Sequence, residues 1–182
     1  MFITFVCFDK LSEFQLISVK KNGIIQLWKD SYKEGEKGMN ILSVAKYILE
    51  KQGTMTTMKL QKLCYYSQAW SLVWDEKPLF DEEFEAWANG PVSPELFNYH
   101  RGKFVISAND ITGNIDELSS EQKETVDTVL KYYGEKEPNW LSELTHKERP
   151  WKEAREKANA AVGERCNEVI TKESMQSYYG GI

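Results

Sequence analysis

The chain has 182 residues, of which 41% are hydrophobic and 13% aromatic, and it carries a formal charge of -5 with a pI near 5.2. That length suits one domain with a short appendage, and the apolar share can close a core, which excludes a disordered chain. The acidic balance speaks against a nucleic-acid footprint, because neutralising phosphates takes clustered Lys and Arg.

The start, MFITFVCF, is apolar but has no basic region ahead of it, and Asp9 and Lys10 end the run early. It is too short for a secretory signal and far too short to span a bilayer. Cys7, Cys64 and Cys166 are odd in number and lack C-x-x-C spacing, so neither a disulfide scaffold nor a zinc site is expected. A soluble protein of the reducing cytoplasm is the simplest reading. Residues 1–38 differ in texture from the rest of the chain. FQLISVKKNGIIQLW places two β-prone runs around Asn22-Gly23, a hairpin signal, and SYKEGEKG reads as a charged linker. A second reading stays open beside it. Glu34-Gly35-Glu36 can be encoded by a purine-rich ribosome-binding sequence just before the Met39 codon, which would make 1–38 a translated leader.

From Met39 the period turns helical. Ile41, Val44, Ala45, Ile48 and Leu49 share one face, and Gly53 is the expected stop. Thr56 or Thr57 can cap a second helix, whose buried stripe is Leu60, Leu63, Cys64, Ser67, Trp70 and Trp74, with Pro78 ending it. DEEFEAW alternates and suits one edge strand. Asn89-Gly90-Pro91 is a turn, and Ser93-Pro94-Glu95 opens a helix with Pro at its first position. After Gly102 the chain is mostly loop, with FVIS as a short strand. Ser119 and Gln122 fit a capping box before a helix that runs to Gly134. PNWLSELTHKERPWKEAREKA reads as two helices divided near Pro150, and TKESMQSYY as a last amphipathic piece. The fold class expected is mainly α: a compact single-domain helical bundle over residues 39–182 with a minor β-strand or hairpin element.

Catalytic and metal chemistry finds little purchase. His100 and His146 are the only histidines, and neither has a ligand at helical spacing; no phosphate-binding or nucleophile-elbow motif is present. Cys64 falls on the buried stripe and reads as a packed thiol rather than a nucleophile. Glu83 and Glu85 share one face of their strand, which suits a charged edge better than a catalytic pair, although Glu85 lies beside Trp87 and the turn. The aromatic load, with Tyr65, Tyr66, Trp70, Trp74, Trp87, Trp140 and Trp151, divides between core and interface anchors. Lys59, Lys62 and Tyr66 are expected on the outward side of their helix. No cofactor, metal or enzymatic activity is expected.

Three ordered segments carry a resemblance: MKLQKLCYYSQAWSL, KPLFDEEFEAWANGPVSPELF and LSELTHKERPWKEAR. With their K-L-Q-K-L-x-Y-Y, E-A-W-x-x-G-P-V and T-H-x-x-x-P-W motifs they resemble the Panacea domain family, which includes SocA-like proteins and the phage-associated protein GepA. Residues 1–38 lie outside the resemblance. By motif position Lys59, Leu60, Lys62, Leu63, Tyr65 and Tyr66 carry over, then Glu85, Trp87, Gly90, Pro91 and Val92, then Thr145, His146, Pro150 and Trp151, with Trp70 in the same helix as the first group. Cys64 stands where an apolar residue is common. The resemblance implies a bacterial, prophage-associated antitoxin domain without catalytic residues, which neutralises a cognate toxin encoded nearby by direct contact. SocA-like members further imply an adaptor that delivers a toxin to a ClpXP-type protease. A DNA-binding autoregulator is the third reading, opposed by the acidic charge.

Overall fold

The computed structural model describes residues 39–182; the hairpin expected at Asn22-Gly23, the leader reading and Cys7 lie outside the described residues. Seven α-helices occur among those described: α1 Ile41–Gln52, α2 Thr57–Trp74, α3 Pro94–His100, α4 Ser120–Tyr133, α5 Pro138–Lys147, α6 Arg149–Lys157 and α7 Lys172–Tyr179. Five short strands accompany them: β1 Met55–Thr56, β2 Phe84–Trp87, β3 Gly90–Val92, β4 Val105–Ile106 and β5 Val169–Ile170. The fold is mainly α with a small β element, as the periodicity implies.

The caps explain where the helices begin. Asn40 Oδ1 accepts from Leu42 N at 2.7 Å to start α1, and Gly53, at φ 76°, ends it. Thr56 caps α2 through Lys59 N. Ser119 and Gln122 close the reciprocal capping box of α4, at 3.2 and 2.9 Å. That helix stops at Gly134, which stays right-handed at φ -59° rather than taking the left-handed turn of a glycine stop. Helix α2 ends at Trp74, four residues short of Pro78.

Helix α2 is where expectation and structure part. Of the expected stripe, Leu60, Leu63, Cys64, Ser67 and Trp70 are buried and the last member, Trp74, is half-buried, but every other residue from Leu60 to Leu72 is buried as well. Helices α1, α4, α5 and α7 and strand β3 all pack against it. A helix enclosed on every side must satisfy its polar groups internally. Gln68 Oε1 accepts from Leu79 N and Phe80 N while its Nε2 donates to Phe80 O, and Ser71 Oγ donates to Lys77 O. These bonds fold the chain after α2 back along the helix. Ser67 Oγ closes onto Leu63 O.

The larger sheet has the order β3-β2-β5, all antiparallel, so β2 is its central strand and not the edge strand expected. The alternation in DEEFEAW reports which face is buried; it carries no information on how many neighbours a strand has. Val169 and Ile170 supply the second neighbour from far along the chain, pairing with Glu85 and Phe84. Pro91 sits on the edge strand β3, where a missing N–H is tolerated.

Candidate functional site

The turn of the β2–β3 hairpin is held by side chains from three helices. Arg155 Nη1 on α6 donates to Ala86 O at 2.9 Å, and Trp151 Nε1 on the same helix donates to Trp87 O at 3.0 Å. Ser142 Oγ on α5 reaches Asn89 O at 2.9 Å, and Lys62 Nζ on α2 reaches Pro91 O at 2.9 Å. Four carbonyls on one short hairpin are thus bound by side chains, where neighbouring strands or water would ordinarily take them. Gly90 lies at the centre with φ +96°, and a Cβ built there would sit 2.6 Å from Thr145 Oγ1 and 2.8 Å from Lys62 Cε. Only glycine fits both the backbone angle and the space. Thr145 Oγ1 is itself turned back onto Ser142 O at 2.7 Å.

Aromatic contacts complete the corner. His146 stacks on Trp151 with centroids 4.2 Å apart. Trp87 meets Phe97 of α3 edge-on at 4.9 Å, and its Nε1 donates to Glu85 Oε2 at 2.7 Å. Beside Trp87 opens a cleft of about 280 Å³, with Met58, Gln61, Lys62, Trp87, Phe97 and His100 among its lining residues. Gln61 is fixed by Ser93, whose N–H donates to Gln61 Oε1 at 2.9 Å. Its amide nitrogen therefore faces His100 Nε2 at 3.0 Å, which makes that ring nitrogen the acceptor of a neutral imidazole. Burial lowers the His100 pKa, in agreement with a neutral ring.

Lys62 is the unusual group. Its side chain is 1% exposed, and burial pulls its pKa from 10.5 down to about 7. Among the described residues no carboxylate stands opposite it, and its one hydrogen bond goes to a neutral carbonyl. His146 feels the same amine: burial, then Lys62 and Arg155, lower its pKa, and its Nε2 is buried without a hydrogen-bond partner.

One turn further along α2, Tyr66 belongs to a second buried cluster. Tyr66 Oη and Tyr179 Oη both donate to Glu148 Oε2, at 3.1 and 2.7 Å. Tyr66 stacks on Tyr133 at 4.3 Å, and Trp70 Nε1 donates to Tyr133 Oη. Glu148 stands at the break between α5 and α6. Burial raises its pKa from 4.5 to about 7, against the opposing pull of the two tyrosine hydroxyls. Burial and then Glu82 push the Cys64 thiol well above its ordinary pKa, so Cys64 is a packed thiol and a poor nucleophile.

The structure thus brings Lys62, Glu85, Trp87, Gly90, Pro91, His146 and Trp151 to one corner, while Tyr65, Tyr66 and Trp70 lie in the core. Lys62 and Tyr66, expected on the outward side of α2, are buried, because α5 and α7 cover the side that the sequence pattern leaves to solvent. Lys59 is half-buried. Sequence reasoning passed over Glu148, Arg155, Tyr179 and Gln61. Gln61 lies inside the K-L-Q-K-L run, Glu148 inside T-H-x-x-x-P-W and Arg155 at the end of LSELTHKERPWKEAR, so their segments carried the signal; nothing local marks Tyr179.

The family model described as antitoxin SocA-like, Panacea domain, matches residues 60–152, about half of the chain. The chain belongs to this family. No curated protein and no solved structure matches it. The matched stretch begins in α2 and ends in α6, so it takes in the hairpin, most of the cleft lining and Glu148, but not Thr57 and Met58 of the cleft or Arg155 of the corner. The Panacea motifs therefore coincide with the contacts that lock α2, the hairpin and α5–α6 together.

Proposed function

We propose that this Panacea-domain chain is an antitoxin that neutralises a cognate protein toxin, encoded beside it, by direct binding in the bacterial cytoplasm and without catalysis. Family membership over residues 60–152 is the observation that carries this reading. The physical chemistry supports it: most motif residues are spent on bracing a corner, and the cysteine inside the motif is inert. Among the described residues no helix is long and apolar enough to cross a membrane. Trp87 and the cleft beside it form the partner-binding surface, with half-exposed Trp87 as an anchor; Tyr66 is withdrawn from that role by its burial. Co-expression of the neighbouring gene product with the wild type and with Trp87→Ala tests this. A complex with the wild type that the folded Trp87→Ala variant weakens at least tenfold is the expected result; no complex with either sinks the reading.

The SocA-like description of the family favours a second reading, an adaptor for a ClpXP-type protease. Toxin half-life, measured with and without this chain in cells with and without the protease, separates delivery from simple masking.

A further inference from the structure

We propose that the cleft beside Trp87 receives a carboxylate-bearing side chain, an Asp or Glu of the protein partner, onto the buried amine of Lys62. The site deepens the antitoxin reading and rests on it for the source of the carboxylate.

Three observations converge on an acidic occupant. Lys62 is among the residues that line the cleft, and its amine has three donors but one hydrogen bond, to Pro91 O. Among the described residues no Asp or Glu lines the cleft, although the chain as a whole is acidic at -5. The other titratable residue that lines it is His100, and the cation of Arg101 lies over the ring of Phe97, whereas the carboxylate of Glu85, bonded to Trp87 Nε1, stays outside the lining. A cation kept from water without a counter-ion is the arrangement that an incoming carboxylate relieves. The remaining lining, with Met58, Trp87 and Phe97, suits the methylene stem of such a side chain.

Three of the acids on elements packed around Lys62 are engaged elsewhere, and Glu143 of α5 acts on His146. Glu85 on β2 accepts from Trp87 Nε1, Glu148 holds Tyr66 and Tyr179, and Asp127 on α4 takes Tyr47 and Lys51 of α1. The basic groups around Lys62 are His100 from α3 and His146 from α5, whose pKa values burial lowers, and Arg155 from α6, which acts on His146 together with Lys62. Binding of a carboxylate then favours the protonated amine, and affinity falls as pH rises through the pKa of Lys62, about 7 in the empty cleft.

The test begins with the full chain alone, titrated with sodium propionate and, as the neutral control, propionamide, while the indole and imidazole signals are followed by NMR. Saturable shifts at Trp87 and His100 with propionate, weakened about tenfold or more with propionamide and in folded Lys62→Met, are expected. Equal responses to the two probes, or an unchanged propionate response in Lys62→Met, overturn the site whether or not the chain is an antitoxin. The complex with the neighbouring gene product then decides the source. Propionate, but not propionamide, should weaken it; a complex indifferent to both overturns the partner's side chain as the occupant.

Discussion

Replacing Lys62 with Met should stabilise the protein below neutral pH. The substitution keeps the length and much of the volume of the side chain and removes an amine that is 1% exposed. A fall in pKa from 10.5 to about 7 corresponds to roughly 5 kcal/mol of penalty on the charged form, at about 1.4 kcal/mol per tenfold change. The lost hydrogen bond to Pro91 O returns about 1.5–3 kcal/mol of that, so the net gain is about 2 kcal/mol near pH 6. The sign of the pH dependence comes from proton counting. Between about 7 and 10.5 the unfolded chain holds the Lys62 proton and the native chain does not, so wild-type stability rises with pH across that window. Lys62→Met lacks this contribution. Its advantage shrinks as pH rises and reverses near the upper end, where the wild type keeps a neutral, hydrogen-bonded amine. Urea unfolding followed by tryptophan fluorescence at several pH values, with unchanged slopes, measures the difference directly. A variant less stable than wild type near pH 6, with the two pH profiles parallel, would refute the reasoning and show that the native state compensates the charge.

Glu148→Gln has a window of its own. The folded pKa is raised from 4.5 to about 7, so the wild type loses stability as pH climbs through that range. Gln retains an acceptor for Tyr66 and Tyr179, and the variant should gain roughly 3 kcal/mol near pH 8 and almost nothing near pH 4.5, read from the same urea curves. Gly90→Ala places a Cβ 2.6 Å from Thr145 Oγ1 at a φ of +96°, and should cost at least ~2 kcal/mol, seen as a lower Tm. Arg155→Met strips a donor from Ala86 O and frees Ala161 O and Glu164 O, for a loss of about 3 kcal/mol and faster hydrogen exchange at β2. Normal stability in Arg155→Met would mean that water serves those carbonyls equally well.

How much of this fold the sequence discloses depends on how local each signal is. The caps at Thr56 and Ser119, the stop at Gly53 and the proline start of α3 are set by a few adjacent residues, and each stands where the pattern puts it. The packing of Cys64 was legible for the same reason, since its stripe repeats within one helix. The outward placement of Lys62 and Tyr66 failed because polarity marks a solvated face only when no distant segment answers it. Here Pro91 O and Glu148, 29 and 82 residues away, supply the partners. Strand β2 was misplaced at an edge for a similar cause, as Val169 and Ile170 of β5 arrive from much later in the chain to pair with Glu85 and Phe84. The corner residues were visible through their motifs, whereas their convergence on one hairpin depends on α2, α5 and α6 meeting there.

The central claim is that this Panacea domain disarms a protein toxin by binding it. Inducing the neighbouring gene in cells, alone and together with this chain, is the most direct measurement. The account predicts growth arrest in the first case, and in the second restored growth with the two proteins recovered as one complex. Arrest that persists while this chain is folded and abundant would contradict it.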